Sequence, residues 1–235
     1  MAQDNENEWQ LLTRAGAVGA FGVVAMIPIQ IVFFIVSPPT FEVTAAYATF
    51  DRDWLLGLES FDVLLVVDSI LSLVFFLALT VVLWRQQSLA LLAIVAVIAG
   101  TASYFSANTS FELFDLAKQY AATNEGEVRS QLLAAGRFAL AHFQGTGFVV
   151  YYLLGAIATI AVSAAMLRGA VFGRATGWIG VIAGVTMLVP PIPATGQAGL
   201  VASLFSLVPL VGWLALAGWR LWHLSDASGP RPSMR

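Results

Sequence analysis

Six runs of apolar residues, each of a length that crosses or nearly crosses a bilayer, take up most of the chain: Arg14 to Val36, Trp54 to Trp84, Ser88 to Asn108, Phe148 to Leu167, Thr176 to Val189 and Gly199 to Trp222. A hydrocarbon layer about 30 Å thick needs roughly 20 apolar residues at about 1.5 Å of rise each. A soluble core cannot hide the 59% of residues that are hydrophobic when only 11% are charged. Within lipid every backbone N–H and C=O must find its partner inside the protein. Continuous apolar runs achieve this as helices, whereas barrel strands would be shorter and alternate in polarity. The expected fold is all-α: a polytopic membrane protein of six transmembrane helices.

Lys and Arg set the orientation. With both termini cytoplasmic, Arg14, Arg85, Arg168, Arg174, Arg220, Arg231 and Arg235 fall inside and Arg52, Lys118, Arg129 and Arg137 outside, seven against four. Basic residues favour the cytoplasmic face, so this orientation is the one expected. Residues 1–13 then form a cytoplasmic segment, acidic and without the basic start of a cleaved signal. Residues 14–223 form the transmembrane domain, and 224–235 a disordered cytoplasmic tail. Two longer connections lie outside. Ser37 to Asp53 opens on Pro38-Pro39, and residues 109–147 form an extracytoplasmic helical hairpin between the third and fourth spans, turning near Thr123 to Gly126. In the hairpin Phe111, Phe114 and Tyr120 line one side of a helix, and Val128, Leu132, Ala135 and Ala139 recur at helical spacing.

Several chemistries are excluded or unsupported. A net charge of −3 with no basic stretch leaves nothing to neutralise a line of phosphates, so no nucleic acid partner is expected. Without cysteine there is no disulfide, thiolate metal site or thiol nucleophile. His142 and His223 fall on opposite sides of the membrane and cannot share a metal. Lys118, the sole lysine, lies outside the spans. There is no phosphate loop or zinc-protease motif. Neither a metal nor a cofactor is expected.

The polar residues within the runs crowd toward the outer end. Asp68 falls in the outer third of the second run, about 25 Å along the helix from Arg85 at about 1.5 Å per residue, with Glu59 and Asp62 further out at headgroup depth. A carboxylate within hydrocarbon normally faces the bundle interior with a partner, and Ser72 lies one turn on. Thr101, Tyr104, Asn108, Glu112 and Asp115 step by three or four residues and share one helical face. Arg137, Gln144 and Tyr151 do the same by sevens. Facing each other across the hairpin, with Arg137 pairing to Glu112 or Asp115, the two stripes would wall an outward-facing polar pocket. The candidate ligand-binding residues are therefore Asp68, Tyr104, Asn108, Glu112, Arg137, Gln144 and Tyr151. Separately, Gly173, Gly177, Gly180 and Gly184, and Ala15, Gly16, Gly19 and Ala20, are small-residue faces that permit close helix contact, within one chain or in a homo-oligomer.

Glu59-Ser60-Phe61-Asp62 with Asp68, Asn108 to Glu112, Gly145-Thr146-Gly147 with Tyr152, and Met166-Leu167-Arg168 through Gly184 to Val189-Pro190-Pro191 resemble a bacterial family of small six-span membrane proteins defined as a domain of unknown function. The resemblance runs from the first span to the last. It implies a bacterial inner-membrane location and brings no catalytic assignment.

The apolar inner halves argue against a transport route through both leaflets. An outer-leaflet binding, sensing or accessory protein for a lipid-like or small apolar ligand, with membrane lipids as partners, fits the asymmetry better. A small proton- or ion-coupled transporter using Asp68 comes second. An intramembrane enzyme on lipid or isoprenoid substrates, with Asp68, Glu112 and His142 as acid or base, comes third because no nucleophile stands out.

Overall fold

The computed structural model describes residues 2–38, 40–84, 88–188 and 196–227. Among them are ten helices and no strand: α1 (Ala2–Val36), α2 (Val43–Arg52), α3 (Trp54–Ser60), α4 (Val63–Leu83), α5 (Leu89–Ala107), α6 (Ser110–Ala122), α7 (Gly126–Phe143), α8 (Thr146–Arg168), α9 (Arg174–Thr186) and α10 (Gly196–Ala227). Among the described residues five stretches are long and apolar enough to cross a bilayer: Trp9–Val36, Val63–Leu83, Leu89–Ala122, Gly126–Arg168 and Phe205–Asp226. The protein is an all-helical membrane protein with several such segments.

Two of the apolar runs differ from expectation. The run from Trp54 to Trp84 is not one helix, because Phe61 and Asp62 separate α3 from α4 and the apolar span starts at Val63. Glu59 and Asp62 consequently stand outside it. The run from Thr176 is represented by α9, whose 13 residues give about 20 Å of helix, short of the roughly 30 Å of hydrocarbon. The proline stop expected at Pro190, Pro191 and Pro193 lies outside the described residues, as do Arg85 and the tail from residue 228. The last helix continues through Ala227, past the point where the tail was placed.

The chain folds as two units. The first comprises Met1–Val24, Ser69–Thr101 and Tyr152–Arg235. Its packing depends on missing side chains. A methyl group built on Gly19 of α1 would fall 2.7 Å from the Leu71 carbonyl oxygen of α4, and one on Gly16 would run into Ala78 of α4. Gly218 of α10 meets Ala20 of α1 in the same way, 2.9 Å from its Cβ. On α9, Gly177 lies against Leu167, Gly180 against Ser163 and Trp213, and Gly184 against Ile160 and the Ala156 carbonyl. Both small-residue faces thus meet helices of the same chain. Their close approach gains van der Waals contact where lipid offers no hydrophobic drive. Trp213 is fully buried, its ring centroid 5.3 Å from that of Phe75 and 5.8 Å from that of Phe76. At the chain ends Arg14 bonds Asp226 at 3.0 Å and lies over the Trp222 ring.

The second unit comprises Ala25–Asp68 and Ala102–Tyr151. Here the two longer connections fold on each other. Val43, Ala46, Tyr47 and Phe50 recur at helical spacing on α2 and pack with Leu58 and Phe61, with Leu113 and Ala117 of α6, and with Ala139, Leu140 and Phe143 of α7. Glu42 starts α2 by accepting the Thr44 and Ala45 amides, which removes two of the unpaired donors at a helix start. Tyr47 hydroxyl donates to the Leu132 carbonyl at 2.8 Å. Gly136 lets α7 reach Val43 and Tyr47 where any side chain would collide.

Gly19→Ala drives a methyl into the α4 backbone, which has no rotamer to yield. We expect it to lower thermal stability in detergent by about 1 to 3 kcal/mol. Gly126→Ala, with nothing within 4 Å of the added carbon, leaves the midpoint unchanged. Equal midpoints for Gly19→Ala and the parent would show that the contact does not bear on stability.

Candidate functional site

The break between α3 and α4 organises the polar side chains of the second unit. Asp62 adopts φ 56°, a left-handed conformation that Asp and Asn tolerate better than other side-chain-bearing residues. A helix that stops leaves carbonyls without partners, and near a membrane these must be satisfied within the protein. Three side chains from the end of α5 and the start of α6 do so. Tyr104 hydroxyl donates to the Asp62 carbonyl at 2.8 Å, Asn108 Nδ2 to the Phe61 carbonyl at 3.2 Å, and Ser110 Oγ to the same Phe61 oxygen at 2.8 Å. Asn108 Nδ2 also donates to Tyr104 hydroxyl, and Asn108 Oδ1 accepts from the Ser110 amide at 3.1 Å, restarting the chain as α6.

Beside this junction lies a recess of about 10 Å³, the size of about one water. Its polar lining is Gln30 and Ser37 from α1 and its end, Glu59 and Ser60 from α3, and Asp62. The Ser37 and Ser60 hydroxyls are hydrogen-bonded at 2.7 Å, while Gln30 Nε2 is buried without a partner. Burial pushes the Asp62 carboxyl up to about 6, with repulsion from Glu59 adding to it. Burial raises Glu59 as well. Position in the sequence alone places both acids at headgroup depth. The turn that draws Asp62 inward has no compositional signature.

Of the seven residues expected to form a pocket, Tyr104, Asn108 and Tyr151 come together, the Tyr104 and Tyr151 ring centroids lying 4.9 Å apart. The other side chains do not join them. The stripe from Thr101 to Asp115 presumed one continuous helix, and the break at Asn108–Thr109 resets its phase, so Glu112 and Asp115 are exposed. A second break at Gln144–Gly145 separates Arg137 from Tyr151 in the same way, and Gln144 is exposed at the end of α7. Among the described residues Arg137 makes no ion pair with Glu112 or Asp115. Its charge acts instead on Glu42, held below the usual range chiefly by its hydrogen bond from Thr44. The neighbouring Gly136 explains this, since it sets that part of α7 against α2. Asp68 is 9% exposed, with Oδ1 buried and unpartnered, and it lines neither the recess nor the groove described next. His142 Nε2 lies 3.1 Å from the Ser106 carbonyl at the surface.

A larger groove of about 540 Å³ opens where α2 and α3 meet α6. Phe50, Leu58 and Ala117, all buried, form its floor, and Trp54, Phe111 and Phe114 its walls. Trp54 is 56% and Phe111 63% exposed, so the walls stand open. Asp51, Arg52, Asp53 and Lys118 form the rim. The volume is in the range of small-molecule sites, and an apolar interior edged by a few charges is their usual make-up. The sequence places Phe111 and Phe114 on one helix side, whereas α2, which supplies the other bank, lies in the segment expected to be a connection.

No protein-family model, curated protein or solved structure matches this chain.

An acid whose folded-state pKa lies above its unfolded value holds its proton more tightly when folded. The contribution of Asp62 is then fully present below its ordinary 3.8 and is lost as pH rises through about 6. We expect the thermal midpoint to fall across that window. Asp62→Asn, which keeps the left-handed turn, should flatten the fall, and the double variant with Glu59→Gln should remove it. A slope unchanged in both variants would place its origin elsewhere. Tyr104→Phe removes the side-chain donor to the Asp62 carbonyl, which keeps the Leu65 amide, and should lower stability by about 0.5 to 1.5 kcal/mol, read by the same melts.

Proposed function

We propose that this is a six-span inner-membrane protein, with both termini cytoplasmic, that binds a lipid-like or small apolar ligand in the groove between α2, α3 and α6. On this reading it acts as a binding, sensing or accessory protein. The distribution of Lys and Arg supports the orientation, placing α2, α3 and the α6–α7 hairpin outside the cytoplasm. The resemblance to the six-span bacterial family is part of the same proposal. The observation that carries the reading is the groove itself: about 540 Å³ with a buried aromatic and aliphatic floor and two largely exposed aromatic walls. Exposed aromatic side chains gathered round a concavity are a binding surface more often than a by-product of folding.

The groove displaces the pocket expected from sequence. Tyr104 and Asn108 give their polar atoms to the α3–α4 junction, and Glu112, Arg137 and Gln144 are spread over the surface.

The test is extraction of the protein in native nanodiscs followed by mass analysis of what it retains. The parent should hold an amphiphile or apolar small molecule at near-stoichiometric level. Trp54→Ala and Phe111→Ala, both at exposed positions, should lose most of it with no change in melting. The same retained material in all three proteins would remove the groove from consideration.

A further inference from the structure

The rim charges of the groove are distributed unevenly. From the α2–α3 side come two acids and one base, Asp51, Asp53 and Arg52; from the α6 side comes one base, Lys118. Among the described residues none of the four forms an ion pair. Opposite charges left apart across an aromatic cleft form a dipole that nothing in the fold neutralises.

Two of them are held in place. Asp53 Oδ1 accepts the Leu55 and Leu56 amides at 3.0 and 3.2 Å, which fixes its carboxylate at the start of α3. Lys118 Nζ sits 4.2 Å over the Phe114 ring centroid, a cation–π contact that anchors the ammonium to the groove wall. That contact leaves its N–H groups free to meet an anion. Asp51 and Arg52 complete the rim and are exposed.

Resting on the groove as the binding site, we infer that its occupant is a bilayer phospholipid with a zwitterionic head, its phosphate toward Lys118 and its ammonium toward Asp51 and Asp53. With Arg52 between the two acids the α2–α3 bank carries a net −1, against +1 from Lys118 on the α6 bank, so the two banks match such a head in sign. The chain supplies the rest of the complement: α3 leads within three residues into the apolar stretch Val63–Leu83, and α6 follows α5 directly, so the groove lies close in sequence to segments apolar enough to sit among acyl chains. Trp54 at this level is the kind of ring that settles among headgroups. An anionic head would pair with the bases but meet Asp51 and Asp53 unfavourably, and an uncharged one would gain nothing from the rim charges.

Native mass spectrometry of the full-length protein in detergent, supplied with equal amounts of phosphatidylethanolamine, phosphatidylglycerol and diacylglycerol, tests this. Adducts of phosphatidylethanolamine should exceed each of the other two by about tenfold, which corresponds to about 1.4 kcal/mol. In Lys118→Gln combined with Asp51→Asn the three lipids should bind about equally. Asp51 is chosen over Asp53 because Asp53 also caps α3, and unchanged melting of the variant excludes misfolding.

The possible failures separate. If phosphatidylglycerol or diacylglycerol binds as well as phosphatidylethanolamine, or the preference survives the double variant, the zwitterionic head is wrong. The groove stands in that case provided Phe111→Ala still removes the adducts. If no lipid adduct responds to Phe111→Ala or Trp54→Ala, both readings fall. A dimer peak that Phe111→Ala abolishes makes a second copy the occupant and overturns both.

Discussion

The second unit depends on what is done with two backbone carbonyls. Ending α3 and starting α4 with Asp62 in a left-handed conformation leaves the Phe61 oxygen to side-chain donors close to an apolar span, while the Asp62 oxygen takes the Leu65 amide at 3.0 Å and keeps a lone pair for a second donor. An unpaired peptide oxygen in such surroundings costs on the order of a hydrogen bond or more. The phenol of Tyr104, the amide of Asn108 and the hydroxyl of Ser110 all converge on these two atoms. Two chain breaks, one after α3 and one after α5, are thereby tied to each other, and the residues on either side inherit their directions from that tie. Asp62 faces its recess, Phe61 joins the aromatic core, and α6 leaves at the angle that brings Leu113 and Ala117 onto Phe50 and Leu58.

From that tie the groove follows. Phe50 stacks on Phe61 with centroids 5.8 Å apart and planes 9° from parallel, and Phe114 leans on both Phe50 and Trp54. The aromatic cluster is closed on the side of α7, where Phe143 meets Phe61 edge-on, and open on the side of Trp54 and Phe111. A membrane protein can leave such an edge bare without aggregating only where something apolar covers it.

The long helices were legible because apolar length alone specifies them. The runs Ser88 to Asn108 and Phe148 to Leu167 reappear almost unchanged as α5 (Leu89–Ala107) and α8 (Thr146–Arg168). The glycine faces were legible for a related reason, since small residues at every third or fourth position have few other uses in a helix. The breaks were not. Leu55 to Leu65 remains mostly apolar through the turn at Asp62, and hydropathy does not report the sign of φ. Thr109 followed three residues later by Glu112 is a recognisable helix start, yet the three- and four-residue spacing from Thr101 to Asp115 runs straight across it. That single choice of phase misplaced Glu112 and, with the break at Gly145, Arg137 and Gln144. α2 carried its own signal in Glu42 followed by Val43, Ala46, Tyr47 and Phe50, which Pro38 obscured by marking the segment as a connection.

In the first unit, Gly180 has a consequence of a different kind. Its bare Cα is faced by Ser163 Oγ and Trp213 Nε1, both sealed inside and both without a hydrogen-bond partner. Buried indole N–H groups usually find an acceptor, and among the described residues this one has none. The six other tryptophans are all at least 38% exposed, whereas Trp213 is fully enclosed. An indole that neither touches water nor donates its proton emits at the short-wavelength limit of tryptophan fluorescence. The chain therefore carries its own optical gauge of helix separation: the first water to enter between α9 and α10 would bond that nitrogen and redden its light before the helices themselves had come apart.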